Sequence, residues 1–339
     1  DRVLRGSRDG FVETLVSNAA LLRRRIRDPK FSMELFGVGR RSRSDVAVCY
    51  ISDSVDRNTL DRMRKLIQSI DVDALTMNIE SLAECMFTHK WINPFPKFKY
   101  SERPDTATAA ILDGNIVIMV DNSPAVMIIP ASIFDIIEEA DDFNFSPMIG
   151  SYLRITRFFF SIITWILTPL WLLFVNNPEW VPEFMKFILI TDDITVPVLL
   201  QLLILELAVD GLKLAAVNTP TMLSTPLSIV AGIVVGEYAV SSGWFNPEAL
   251  LYMAVVTVGT YGQTNFEMGY AFKFLRVLLL ILTQIFNLAG FITGVVISVL
   301  MIAFNRTITG KSYIYPLIPW DGKMLKRKVF RVRLPHGYK

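Results

Sequence analysis

The first 150 residues alternate between two spacings of apolar side chains. Apolar residues recur every three or four positions over residues 11–26 and again over 60–70, which predicts two amphipathic helices. Short, continuous apolar runs cover residues 46–51, 116–120 and 125–129, which predicts three strands, and the turn between the last two predicts a β-hairpin. The pattern therefore predicts that this region is a soluble α/β domain.

From residue 151 onward, the pattern changes to long apolar runs. Gln284 and Asn287, inside the last of these runs, are predicted to form interhelical hydrogen bonds. A helix needs about 20 apolar residues to cross the hydrocarbon core of a bilayer. We therefore expect a membrane protein with an all-α transmembrane domain of about four spanning helices. The runs with this character are residues 158–175, 222–238, 249–262 and 277–304.

Charged residues follow the same division of the chain. The 339 residues carry a formal net charge of +2, and 52% of them are hydrophobic. Residues 1–150 hold 41 charged side chains, residues 151–322 hold 18, and residues 323–339 hold seven Lys or Arg and no acid. This distribution excludes a wholly soluble globule and a fibrous protein. It predicts a cytoplasmic domain, a transmembrane domain and a basic cytoplasmic tail over these three ranges.

The sequence contains few residues with catalytic or ligand chemistry. Two cysteines and two histidines are too few for a disulfide scaffold or a metal cluster, and Cys49 and Cys85 are predicted to be reduced core residues. No nucleophile lies at a spacing that predicts a partner base. We therefore expect no enzymatic activity, no metal, no cofactor and no nucleic-acid partner. Because the chain opens at Asp1 without Met or a leader, we expect an N-terminal portion to precede it.

The charges that flank the apolar runs predict a topology. Arg154 and Arg157 precede the first run and acidic residues follow it, so the positive-inside rule places the N-terminal domain in the cytoplasm. The basic tail is placed there by the same rule, and two cytoplasmic ends require an even number of crossings. A fifth apolar segment, residues 196–218, contains charges and is therefore predicted to be a re-entrant or interfacial amphipathic helix. Lys273 and Arg276 conflict with this topology, because it would place both positive charges on the outer side of the membrane.

The fifth segment carries the main candidate site. Glu206, Asp210 and Lys213 stand at positions i, i+4 and i+7, within an arc of roughly 60° on a helix. Charged groups at membrane depth are costly unless they face protein or water, so the stripe predicts a helix that lines an ion path. Glu237 is a further candidate for this path. The alternative is a helix that lies flat at the interface, with Asp210 and Lys213 paired locally.

A second candidate site lies in the N-terminal domain. Arg40, Arg41 and Arg43 form a basic cluster in a predicted loop. Such a cluster is suited to anionic lipid headgroups or to contacts within an assembly. A solvated loop explains the same residues equally well, so both interpretations stay open at the level of the sequence.

Several motifs, in order along the chain, resemble the GerA family of spore-germination proteins. The resemblance covers essentially the whole chain. Within the family, the apolar block over residues 155–173 and the basic tail favour the stage V sporulation branch over the receptor A subunits. The motifs are RGSRDGFVE at 5–13, Asn18, LRRRIR at 22–27, GRRS at 39–42, VAVCY at 46–50, PFP at 94–96, ERPD at 102–105 and LDG at 112–114.

The resemblance implies a function in the inner membrane of the bacterial spore. A protein of this family is expected to form a homo-oligomer, a ring of about five copies, and to pass monovalent cations during germination. Its expected partners are the receptor B and C subunits or, for the sporulation branch, a different membrane protein. No family motif assigns pore residues. A non-conducting scaffold that couples receptor subunits is the competing hypothesis, and a transporter is disfavoured because the sequence has no internal repeat.

Overall fold

The computed structural model describes residues 6–87, 93–218 and 232–332. The chain divides into two compact units, of which the first comprises Asp1–Ile155 with Ile302–Lys339 and the second comprises Thr156–Met301. Most of the apolar run predicted over residues 222–238 lies outside the described residues.

The first unit is built on an antiparallel sheet of five strands. The strand predicted at residues 46–51 is confirmed as an inner strand of this sheet. The predicted hairpin is also confirmed, because its two strands pair antiparallel with Ile116 opposite Ile129. The strands are β1 Phe31–Val38, β2 Ser44–Ile51, β3 Lys99–Ser101, β4 Ile116–Val120 and β5 Val126–Ile129, in the order β1-β2-β4-β5-β3.

Helices cover both faces of the sheet. Val48 and Ile118 point to one face and pack in a cluster with residues of α2 and α3, whereas Cys49 and Met119 point to the other and pack with residues of α1 and α4. Because the inner strands are buried on both faces, they form continuous apolar runs instead of alternating with polar residues. The helices of this unit before residue 147 are α1 Leu15–Arg25, α2 Arg57–Gln68, α3 Ile79–Met86, α4 Pro104–Leu112, α5 Ile133–Ile137 and α6 Asp141–Asn144.

Strand β1 is not predicted by the apolar pattern. It pairs only with β2 and forms an edge of the sheet, where Leu35 is 66% exposed. An edge strand that is covered on fewer sides needs fewer apolar residues, so its sequence lacks the signal of an inner strand.

The residues that follow the last long helix belong to the first unit. The buried Tyr313 accepts a hydrogen bond of 2.9 Å at its carbonyl from the backbone N–H of Ile133. Lys97 is also buried, and its ammonium group donates to the Asn305 side chain and, at 2.8 Å, to the Arg306 carbonyl. Burial lowers the pKa of Lys97 to about 8. These contacts bind residues 305–313 to the body of the unit.

The basic segment that the sequence predicts from residue 323 begins as the helix α11, Gly322–Val329, which also packs in the first unit. The Lys328 ammonium forms ion pairs with Asp135 and, at 3.5 Å, with Glu138. The buried Arg154 guanidinium donates to Glu138 at 2.8 Å and to the Lys328 carbonyl at 3.1 Å. One face of α11 is therefore fixed by buried charges.

The second unit is helical. Among the described residues, two of its helical segments are long and apolar enough to cross a membrane, as judged from length and composition: α7 with 30 residues and α10 with 38, although α10 is interrupted at Asn287. The short 3₁₀ helices Pro178–Trp180 and Glu183–Ile188 follow α7. The π-helix Gly232–Tyr238 and the single α-helical turn Ala239–Ser241 precede α9. The long elements are α7 Pro147–Asn176, α8 Val198–Asn218, α9 Pro247–Tyr261 and α10 Phe266–Ala303.

Helix α10 is broken at Asn287, where φ is 51° and ψ is −131°. A Cβ atom added to Gly290 would lie 1.8 Å from the Leu282 carbonyl oxygen, and one added to Gly294 would lie 2.4 Å from a methyl carbon of Leu279. Gly290 is 8 positions after Leu282, and Gly294 is 15 positions after Leu279. In a straight helix these residues would lie too far apart for such contacts, so the chain must reverse between them. The run predicted as one tilted span over residues 277–304 is therefore two helices that pack against each other through these glycines.

The two polar residues in this run form interhelical hydrogen bonds, as predicted. The Asn287 side chain exchanges hydrogen bonds of 2.6 and 2.8 Å with Asn177, just after α7. Gln284 accepts one of 3.5 Å from Asn176. The side-chain amides thus attach the point of reversal in α10 to the end of α7.

The two cysteines are expected to differ in reactivity. Cys49 is fully buried in β2, and burial raises the pKa of its thiol, whereas Cys85 is partly exposed. Because the thiolate is the reactive form, the native chain in detergent should react with about one equivalent of a maleimide and with two after denaturation. Mass spectrometry measures the stoichiometry. Cys85→Ala should abolish native labelling, and native labelling of Cys49 in that variant would contradict the buried position.

Candidate functional site

The centre of the site is an ion pair between α8 and α10. The Glu206 side chain accepts two hydrogen bonds from the Arg276 guanidinium, at 2.5 Å from Nε and at 2.8 Å from Nη2. Glu206 is 4% exposed and Arg276 is 3% exposed. The remaining guanidinium nitrogen, Nη1, donates to the backbone carbonyl of Thr164 in α7. One buried charge pair thus connects three helices.

Lys273, one turn before Arg276, extends this network. Its ammonium group forms an ion pair with Asp210 and lies 3.6 Å from Glu206 Oε2. It also donates to the Glu206 backbone carbonyl at 3.1 Å. The partner of Asp210 is therefore Lys273 on α10, and not Lys213 on its own helix as the interfacial alternative supposes.

Lys213, the third residue of the predicted stripe, has a different environment. Its ammonium nitrogen lies 5.3 Å from the ring centroid of Tyr261 and 5.5 Å from that of Tyr270. A cation at this distance from aromatic faces is attracted by the ring quadrupoles. The stripe predicted from the helical spacing is thus present on α8, but each of its three charges has a different kind of partner.

These side chains surround a cavity of about 70 Å³ in the second unit. Two carboxylates and three cationic groups are among its lining residues, together with hydroxyl groups from α9 and a side-chain amide. In the described part of the chain, Asp210 Oδ1 and Gln263 Oε1 are buried without a hydrogen-bond partner, and both residues line the cavity. Unpaired acceptors in a polar cavity of this size are suited to bind water.

The network lies beside the middle of the first apolar run. Thr164, whose carbonyl receives the Arg276 hydrogen bond, is central in the uncharged residues 158–175. Gly259 of α9 also approaches here, since an added Cβ would lie 2.6 Å from the Thr164 methyl carbon. A side chain larger than glycine at this position would force the Thr164 side chain or α9 to shift.

The other predicted site residues lie elsewhere. Glu237 is exposed in the π-helix Gly232–Tyr238 before α9, and it is not among the residues that line the cavity. Arg40 forms a bidentate ion pair with Asp71, at 2.8 and 2.6 Å, at the turn between β1 and β2. Arg41 and Arg43 are exposed on the same turn. These arginines stay available to solvent or lipid, and they form no part of the charged network in the helical unit.

Lys273 and Arg276 were not among the predicted site residues. In the sequence they appear only as charges that conflict with the predicted topology. That conflict was the signal in the sequence that could have identified them. Charged side chains that the topology cannot place outside the membrane must be paired with other groups inside the protein. The helical spacing on α8 could not identify them, since they contact α8 only through the tertiary fold.

The comparisons with known proteins show the family of this chain. The model of the Bacillus/Clostridium GerA spore germination protein family matches residues 1–339. The chain is 38% identical over 335 residues to Stage V sporulation protein AF of Bacillus subtilis (strain 168), covering 99% of this chain and 68% of that protein. The chain therefore belongs to the GerA family, and the predicted likeness to its stage V sporulation branch is confirmed.

Two further relatives come from germination systems. Spore germination protein XA of Bacillus anthracis is 27% identical over 335 residues, which cover 98% of this chain and 68% of that protein. The crystal structure of the N-terminal domain of the A subunit of the Bacillus megaterium spore germinant receptor GerK3 matches 35% of this chain and 94% of that domain, at 31% identity and a TM-score of 0.29. The relatives are thus spore germination and sporulation proteins.

Removal of one partner from the central pair should destabilise the helical unit. Arg276→Met removes both guanidinium hydrogen bonds of the buried Glu206 carboxylate and leaves it only the Lys273 ammonium 3.6 Å away, which costs up to about 3–5 kcal/mol, whereas Glu206→Met/Arg276→Met should recover most of this loss. Thermal unfolding of the full chain in detergent measures both effects. The matched control is Lys186→Met in the exposed Glu183–Lys186 pair, which should cost less than about 1 kcal/mol. A double variant as unstable as the single one would contradict this account.

Proposed function

We propose that this chain is a subunit of an oligomeric membrane ion channel that releases monovalent cations during spore germination. The observation that supports it is the group of ionisable residues around one cavity between long, mainly apolar helices. Charges at such positions are costly, so membrane proteins keep them where they serve an ion path or a structural pair. Membership of the GerA family supplies the germination context.

The proposed arrangement places the second unit in the inner membrane of the spore, with about four crossings. The N-terminal domain and the basic tail then lie in the cytoplasm, in agreement with Arg154 and Arg157 before the first apolar run. The contact between Arg276 and Thr164 supports a position for Arg276 near the middle of the bilayer. The topological conflict of Lys273 and Arg276 disappears, because neither residue then needs to lie outside.

In this proposal, Asp210 and Lys213 line the ion path, while Glu206 is held by Arg276 and shapes the wall. Glu237 is retained as a further lining residue, since its exposed side chain is free to face a path that several copies enclose. A homo-oligomer of about five copies would bring five Asp210 carboxylates towards one axis. The ion pair between Asp210 and Lys273 represents a closed state, because the lysine neutralises the carboxylate that would attract a cation.

The proposed partners follow from the family. They are other copies of this chain, germinant receptor B and C subunits or a different membrane protein for the sporulation branch, membrane lipids and monovalent cations. Arg41 and Arg43 on the exposed β1–β2 turn are proposed contacts for lipid headgroups or for the assembly, and Arg40 holds the turn through Asp71.

One observation favours a non-conducting scaffold instead. Both acidic residues of the stripe are already neutralised by cations of the same chain. A buried ion pair whose charges are fully compensated can have a purely structural role that requires no ion flow. A scaffold that couples receptor subunits would need only this structural role. The two functions differ in what they require of Asp210, which is 24% exposed and less essential for packing than Glu206.

Neutralisation of Asp210 tests conduction directly. In liposomes that contain the full chain, Asp210→Asn should lower cation flux by about tenfold, because a unit charge within a few ångströms of an ion contributes about 1–4 kcal/mol. The matched control is Asp192→Asn, an exposed acid of the same unit. Oligomer size is measured for each variant. Unchanged flux of Asp210→Asn in an intact oligomer, or no flux of the wild type in any condition with its partners present, favours the scaffold.

The opposite substitution should have the opposite effect. Lys273→Gln removes the cation that neutralises Asp210, so the resting flux should rise severalfold, while Lys186→Gln at the exposed pair should leave it unchanged. The same liposome assay measures the change. A decrease in flux for both Lys273→Gln and Asp210→Asn would indicate that the ion pair is needed only for folding, and would contradict the closed-state role.

A further inference from the structure

The first unit exposes a short apolar loop just before α11. The loop consists of Leu317, Ile318, Pro319 and Trp320, and the exposed fractions of Leu317, Ile318 and Trp320 are 40%, 57% and 72%. Four consecutive apolar residues in solvent, with a tryptophan among them, are unusual for a soluble surface and typical of a site that contacts another phase or partner.

The loop stands on a rigid base. Tyr313 and Pro316, at its beginning, are buried. The Pro316 carbonyl accepts a hydrogen bond of 3.0 Å from the backbone N–H of Asp321, which closes the loop. The Asp321 carboxylate then caps α11 by accepting from the backbone N–H of Lys323 and Met324, at 3.1 and 3.0 Å. The backbone at both ends of the loop is therefore held in place, and the apolar side chains between these ends are exposed.

The helix beside the loop carries basic residues on its outer face. Lys323 and Lys326 are exposed and stand about 60° apart on the helix, at 100° per residue. Lys328, which is bound to Asp135 and Glu138, lies about 140° from Lys323 and about 160° from Lys326. The contacts of Lys328 thus turn the other two lysines away from the body of the unit.

We propose that the loop 317–320 and the outer face of α11 bind the surface of an anionic lipid bilayer. Trp320 and Ile318 would enter the interfacial region, where tryptophan is favoured, and the Lys323 and Lys326 ammonium groups would contact lipid phosphates. Charge complementarity selects this occupant, because the last 17 residues carry seven basic side chains and no acid. The loop also begins only 14 residues after the apolar helix α10 ends at Ala303.

An environment-sensitive label at position 318 tests this surface in the full chain. The background is Cys49→Ala/Cys85→Ala, and Ile318→Cys is labelled with a nitrobenzoxadiazole dye. Nanodiscs are prepared with phosphatidylcholine alone or with 30% phosphatidylglycerol, and in each case with or without a lipid that carries a doxyl group near its headgroup. A label at Gln68→Cys, an exposed position on α2, is the control. Matching melting temperatures show that the labelled variants are folded.

The proposal expects at least a twofold gain in dye emission, with a blue shift, when phosphatidylglycerol is present. The doxyl lipid should quench this emission, and Lys323→Gln/Lys326→Gln should remove most of the gain. The label on α2 should not respond. An emission independent of phosphatidylglycerol and of the two lysines would overturn the proposal, as would a blue shift without doxyl quenching, which indicates coverage by protein. None of these readouts requires ion flux, so they are independent of the proposed channel function.

Discussion

A carboxylate and a guanidinium enclosed by apolar helices must stay paired, and the helical unit depends on this constraint. Separation of Glu206 from Arg276 would leave the buried carboxylate with only the more distant Lys273 ammonium, at a cost of up to about 3–5 kcal/mol, which is a large share of the stability of a typical domain. The pair therefore determines which face of α8 meets α10. The third hydrogen bond of Arg276, to the Thr164 carbonyl, adds α7 to the same contact. Glycine at position 259 then allows α9 to approach and close the cavity.

The break in α10 has a related physical basis. A long apolar helix can reverse only where the backbone groups that the break leaves unpaired find hydrogen-bond partners and its two halves pack closely. Asn287 adopts a positive φ and bonds to Asn177 through its side chain, while Gly290 and Gly294 remove the side chains that would prevent contact. The half of α10 before the break is held to α7 at two points, by Arg276 at the Thr164 carbonyl and by Asn287 at Asn177.

The first unit is formed by both ends of the chain. Residues 1–155 supply the sheet and its helices, and residues from 302 onward return to it, so the helical unit is an insertion between two parts of one fold. Buried charges make the return specific: Lys97 binds residues 305 and 306, and Lys328 binds Asp135 and Glu138.

Local patterns in the sequence predicted many of the strands and helices of this protein, its family and one face of its candidate site. Continuous apolar runs identified β2, β4 and β5 because these strands are buried on both faces, and uncharged runs identified α7 and α10 because helices of that kind must avoid water. The motifs indicated the GerA family, and the helical spacing placed Glu206, Asp210 and Lys213 on one face of α8. Strand β1 was missed because an edge strand is apolar on fewer sides. The partners of the stripe, the reversal at Asn287 and the return of the tail were decided only by the tertiary structure. Each of these depends on contacts between residues far apart in the chain, for which hydrophobic periodicity carries no information.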